Sequence, residues 1–126
     1  MDISGKYVMY HKTDPPAHYD VMIDRGDSMM TFRIAQFDMM ALLDGTEVRA
    51  DEIPGKASGY TALDEPIPCD SGKVRIFDSG TLTVEQWGDP VIVLNILGRV
   101  FTGTLHLLKT PERYSMRFIR SRREKK

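Results

Sequence analysis

Residues 18–35 read HYDVMIDRGDSMMTFRIA, and their periodicity decides the fold class. Over residues 18–24 the side chains alternate. Tyr19, Val21 and Ile23 fall on one face of an extended chain, with His18, Asp20, Met22 and Asp24 on the other. Arg25-Gly26-Asp27 has the chemistry of a hairpin turn, and residues 28–35 continue as a second strand. A period of two on both sides of a tight turn predicts antiparallel β-structure.

The same pattern extends outward. Upstream, residues 6–12 (KYVMYHK) are rich in strand formers, and Pro15-Pro16 ends the run because proline donates nothing to a ladder. Downstream, residues 37–43 (FDMMALL) predict one helical turn, stopped by Asp44-Gly45. Residues 46–69, punctuated by Pro54, Gly55, Gly59, Pro66 and Pro68, predict a long irregular excursion. Residues 73–78 and 81–87 then flank a turn at Ser79-Gly80, and residues 90–97 and 100–109 flank Gly98-Arg99. Thr110-Pro111-Glu112 turns into a last strand at 113–120. About eight strands with at most one short helix predict an all-β chain. The architecture expected is a small antiparallel barrel, since closure hides the sheet edges.

At 126 residues the chain has the length of one domain, here residues 1–120, followed by a basic tail at 121–126 (SRREKK) with nothing apolar to bury. Its 41% apolar content is that of a globular protein. The single cysteine, Cys69, excludes an internal disulfide and a cysteine-based zinc knuckle. No stretch reaches the roughly 18 apolar residues of a membrane helix, and the N-terminus lacks the pattern of a signal peptide. The expectation is a cytoplasmic monomer that does not enter a membrane. A net charge of −1 argues against a uniformly basic surface. Basic residues gather instead between Arg113 and Lys126, where a cationic tail has the chemistry to follow phosphates.

His18-Tyr19-Asp20 is the sharpest chemical feature. Residues i and i+2 of a strand share a face, so an imidazole and a carboxylate converge on one point there. That donor pair suits Zn²⁺, Mn²⁺ or Fe²⁺. His11, on the preceding strand, reaches the same site if the two strands pair in the right register. His106 stands among apolar neighbours, as core or edge histidines commonly do. Cys69 beside Asp70 lacks the cationic surroundings of a reactive thiol. No glycine-rich phosphate loop, CxxC pair or HExxH helix occurs in the sequence.

In their order and spacing these segments resemble the ligase D 3'-phosphoesterase family. HYDVMID is similar to the family's H-[YW]-D signature strand, and TFRIAQF to the strand that follows it. Residues 60–74 (YTALDEPIPCDSGKV) resemble the tyrosine, acidic, proline and glycine spacing of its short members. RIFDSGTL at 75–82 is similar to an aspartate-x-glycine-threonine hairpin. ILGRVFTGTLHLLKT and RYSMRFIR resemble the closing hairpin and final strand. The likeness runs from about Tyr7 to Arg120.

The resemblance implies a β-barrel with a Mn²⁺ site that trims nucleic-acid 3' ends, removing a 3'-phosphate or a terminal ribonucleotide in DNA end repair. Carried over residue by residue, it implies His11, His18 and Asp20 as metal ligands and Asp64 as an acid or base. The family's phosphate-binding cations fall on Met22, Gln36 and Ser71, and its first histidine falls on Lys12, one residue after His11. Arg33, Arg75 or Arg117 would then replace those cations from other strands. Two readings follow. One is a Mn²⁺-dependent 3'-phosphoesterase acting on nucleic-acid ends. The other is a barrel that has lost catalysis and binds nucleic acid or a DNA-repair protein. Convergence of His11, His18 and Asp20 on one point discriminates between them.

Overall fold

A computed structural model describes residues 3–13, 15–26, 29–53 and 74–121. Eight strands follow one another: β1 (Ile3–Lys12), β2 (His18–Asp24), β3 (Met29–Ala35), β4 (Val48–Glu52), β5 (Val74–Trp87), β6 (Val91–Gly98), β7 (Thr102–Lys109) and β8 (Tyr114–Arg120). A 3-10 turn (Gln36–Asp38) and the short helix α1 (Met39–Leu43) stand between β3 and β4. The strands close into an antiparallel barrel in the order β1-β2-β3-β4-β8-β7-β6-β5. The small all-β barrel expected from the sequence is the fold observed, with one short helix.

Eight strands were expected, but they are not the same eight. The turn expected at Ser79-Gly80 does not exist, because β5 runs unbroken for 14 residues. Gly80 is what lets it run. A Cβ there would lie 2.0 Å from the carbonyl oxygen of Leu97 on β6, so the missing side chain is where the two backbones pass close together. The lost strand is replaced by β4 (VRADE), which lies inside the stretch expected to be irregular. Three of its five residues are charged, and too few positions alternate for the pattern to stand out. Pairing identifies it: Arg33 faces Asp51 across β3, and Val48 faces Met116 across β8.

Alternation in β2 is as the sequence predicts, with Tyr19, Val21 and Ile23 inside the barrel. The outer face is also covered. Met22 joins Val8 and Tyr10 in a second cluster, with Val74 and Ile76 packed against it, so every residue of β2 is buried. The interior is filled by aromatic and branched side chains from all eight strands, including edge-to-face pairs Phe32–Tyr114 and Phe101–Phe118 with centroids 4.8 and 4.7 Å apart. Helix α1 contributes Met39 and Leu42 to this core. It ends in a Schellman motif: Thr46 N–H donates to Ala41 O (2.9 Å) and Gly45 N–H to Leu42 O (3.1 Å), with Gly45 at φ +89°.

The connection from β6 to β7 is held by one carboxylate. Asp78, fully buried, accepts the backbone N–H groups of Arg99 (2.8 Å), Val100 (2.9 Å) and Phe101 (2.9 Å), and the hydroxyl of Tyr7 (3.0 Å). A buried anion is tolerated when its lone pairs are filled in this way. Burial, together with the Asp78 charge, pushes the Tyr7 hydroxyl far above its ordinary range and keeps it a donor. Among the described residues no helix is long and apolar enough to cross a membrane.

Candidate functional site

Register decides which candidate residues meet. Asp20 lies opposite Arg33 of β3 and Tyr10 of β1, and His18 lies opposite Ala35 and Lys12. Partners in an antiparallel pair share a face, so His18, Asp20 and Arg33 stand together on the outer face. Arg33 grips Asp20 through two hydrogen bonds, Nε to Oδ1 at 2.8 Å and a terminal nitrogen to Oδ2 at 3.1 Å. Such a fork-on-carboxylate pair is strong and directional.

His18 is held in one orientation by its Nδ1–H, which donates to the carbonyl of Pro16 at 2.8 Å. The Nε2 lone pair is then left facing Asp20 Oδ2 at 3.8 Å. A carbonyl that fixes the tautomer in this way is the usual support behind a ligating histidine. Two donors 3.8 Å apart both reach one ion at bonds of about 2.0–2.2 Å. His18 and Asp20 therefore fit a divalent cation as a pair, with Arg33 competing for the same carboxylate. Both are largely withdrawn from water, at 8% and 9% exposure.

His11 does not join them. It lies opposite Tyr19, one position out of phase with His18, and so turns to the other face of the sheet. Its ring stacks on Tyr19 with centroids 4.2 Å apart, and Phe77 meets both rings edge-on. Nε2–H donates to Gln36 Oε1 at 2.8 Å, which occupies one of its two ring nitrogens. Arg75 lies opposite His11 across β1 and β5, on that same far face. Arg117 is on β8, where its Nε donates to the carbonyl of Gly45 at 2.8 Å. It lines a separate cavity of about 280 Å³ with Glu47 and His106. Asp64, Cys69 and Ser71 lie outside the described residues, as does most of the basic tail. Among the described residues no three His, Cys, Asp or Glu side chains gather as a metal-holding group.

Four side chains of the site, Phe37, Asp38, Arg49 and Asp51, have no place in the sequence-based expectation. A cavity of about 280 Å³ beside His18 is lined by Arg33, Arg49, Asp51, Phe37 and Asp38, with Pro16, Ala17 and Ala35. Arg49 and Asp51 come from β4 and bond each other at 3.2 Å. Their signal was the alternation of VRADE, with Val48 and Ala50 inward and Arg49 and Asp51 outward. Phe37 carried no signal of its own. Two guanidinium groups, Arg33 and Arg49, and two carboxylates, Asp38 and Asp51, line the cavity, and the Asp20 carboxylate is held by Arg33 beside it.

Fold and pocket together define a class: a closed eight-stranded antiparallel barrel with a histidine, a carboxylate and a guanidinium converging on the outside of β2 and β3. Beyond that class, no protein-family model and no curated protein matches the chain.

Proposed function

We propose that this chain is a cytoplasmic ligase D 3'-phosphoesterase-like barrel that takes the 3'-phosphate end of nucleic acid into the His18–Asp20–Arg33 pocket. A divalent cation, Mn²⁺ in the first instance, is held by His18 Nε2 and Asp20. The observation that carries the reading is the oriented His18 ring, its Nε2 turned to a carboxylate beside two guanidinium groups. A bound cation would add positive charge to the pocket and polarise a phosphoryl oxygen. Arg33 and Arg49 would then orient the phosphate by their planar forks.

Turnover is expected to be slow. Among the described residues only two donors, His18 and Asp20, would face the ion, and the cations that resemblance would place at Met22 and Gln36 are absent. A missing donor at a developing phosphate charge costs roughly a hundred- to a thousandfold in rate, about 3–4 kcal/mol. A second reading, end binding without hydrolysis, is favoured by two observations: His11 does not converge with His18 and Asp20, and the fork of Arg33 already neutralises the carboxylate.

The test is release of phosphate from a 3'-phosphate DNA end with and without Mn²⁺. Slow Mn²⁺-dependent release, lost in His18→Ala, is expected. Mn²⁺-dependent binding without release selects the second reading. No binding in either condition, and no paramagnetic broadening of the His18 imidazole by Mn²⁺, overturns both.

A further inference from the structure

The 3-10 turn Gln36–Asp38 leaves β3 at the edge of the pocket and is pinned where it starts. Gln36 N–H donates to the carbonyl of Ala17 at 3.2 Å, and the Gln36 side chain accepts from His11 on the far face at 2.8 Å. The next residue, Phe37, is 85% exposed, the most exposed large apolar side chain among the described residues. An aromatic ring held out in water by a pinned turn gains nothing from folding. Phe37 nevertheless lines the same cavity as His18, Arg33 and Arg49. Met40, also exposed, stands on the helix that follows.

We infer that Phe37 is a stacking platform for the base of the 3'-terminal nucleotide of a single strand whose phosphate lies against Arg33 and Arg49. This rests on the phosphate-end reading above. A flat apolar ring beside guanidinium groups matches the two halves of a nucleotide, one a planar π-surface and the other an anion. Size points the same way. At about 280 Å³ the cavity falls just below the range of pockets that enclose a whole organic ligand. Phosphate and sugar fill it, and the base remains at the rim, where Phe37 stands. Stacking is tolerant of sequence because every base has a π-face, so the inference assigns affinity for an end and no preference among bases. The pinned turn makes the platform preorganised, which spares the ordering cost on binding.

The experiment measures Mn²⁺-supported binding of fluorescent oligothymidylates ending in a hydrolysis-resistant 3'-phosphonate, with or without a base on the last nucleotide. Phe37→Ala is expected to weaken the complete strand about tenfold, the low end for one stacked base. It should change affinity for the abasic strand less than twofold. Phe37→Trp should restore or tighten binding, and Phe37→Leu, apolar without a π-face, should recover little. Equal effects on the two strands, or none on either, overturn the inference while leaving the phosphate-end reading intact. A wild-type chain that binds 3'-phosphonate and 3'-hydroxyl ends alike overturns the phosphate-end reading, and one that binds neither overturns both.

Discussion

Asp78 shows how much one side chain can organise in a small barrel. Its three backbone acceptor bonds and the Tyr7 hydroxyl fix the β6–β7 connection from inside the fold. Asp78→Ala would leave four donors without their partner, and we expect a loss of about 3–4 kcal/mol, read as a lower denaturant midpoint at unchanged slope. The Tyr7 hydroxyl titrates well above its ordinary value, so the native state holds a proton that the unfolded chain gives up near pH 10. Its contribution is full below about pH 10 and falls away as pH rises beyond that. Stability of the wild type should therefore decline above pH 10 more steeply than that of Tyr7→Phe. Parallel pH–stability curves would show that Tyr7 is not the group responsible. At the site, Arg33→Gln removes the fork from a carboxylate that is 9% exposed. Stability should fall by about 1–2 kcal/mol after solvent screening, while Mn²⁺ affinity rises because the competing cation is gone. A Mn²⁺ titration followed at His18 by NMR measures the second effect.

Among the elements, β5 and the turn before α1 decide most. β5 spans 14 residues and pairs with β1 on one side and β6 on the other, and a register shift at Met9/Tyr10 leaves Phe77 without a partner on β1. That bulge is consistent with the sharp bend a barrel needs, and it brings Phe77 against Tyr19 and His11. Gly80→Ala would place a methyl group against backbone, which cannot give way as a flexible side-chain tip does. We expect destabilisation above 3 kcal/mol, or failure to fold, by thermal denaturation. Gly45→Ala is a milder case. Its nearest contact, Phe118 O at 3.7 Å, is ordinary, so only the positive φ is strained, and about 1 kcal/mol should be lost. Consecutive residues of the 3-10 turn have different surroundings: the exposed Gln36 side chain accepts from His11, and Phe37 lines the pocket.

On the scale of the whole molecule, charge is the governing quantity. A net charge of −1, and a pocket whose two lining guanidinium groups are matched by two carboxylates, give the barrel no general attraction for nucleic acid. End binding should therefore need the divalent ion and depend only mildly on salt. With one or two phosphates against Arg33 and Arg49, the slope of log K against log salt should be about −0.7 to −1.4. Removing residues 122–126, which carry Arg122, Arg123, Lys125 and Lys126 against Glu124, should flatten a steeper slope if the tail follows the strand. An unchanged slope would assign all phosphate contact to the pocket. The barrel's two faces also separate the histidines: His18 belongs to the outer pocket, His11 to the aromatic cluster on the opposite face.

Sequence alone determined what depends on local periodicity. The alternation in HYDVMID, the turn at Arg25-Gly26 and the apolar–polar rhythm of residues 90–120 fix strands whose faces cannot be exchanged without exposing the core. The His18–Asp20 pair was legible for the same reason, since i and i+2 always share a face. Tertiary structure decided whatever depends on register between strands. A shift of one residue between β1 and β2 puts His11 opposite Tyr19 instead of His18, and no single-strand pattern records that choice. The same holds for β4, five residues long and mostly charged, which is a strand only because β3 and β8 lie on either side of it. Arg49 and Asp51 reached the pocket through that long-range pairing, which their local alternation alone does not place, whereas Phe37 is carried there by the turn that follows β3.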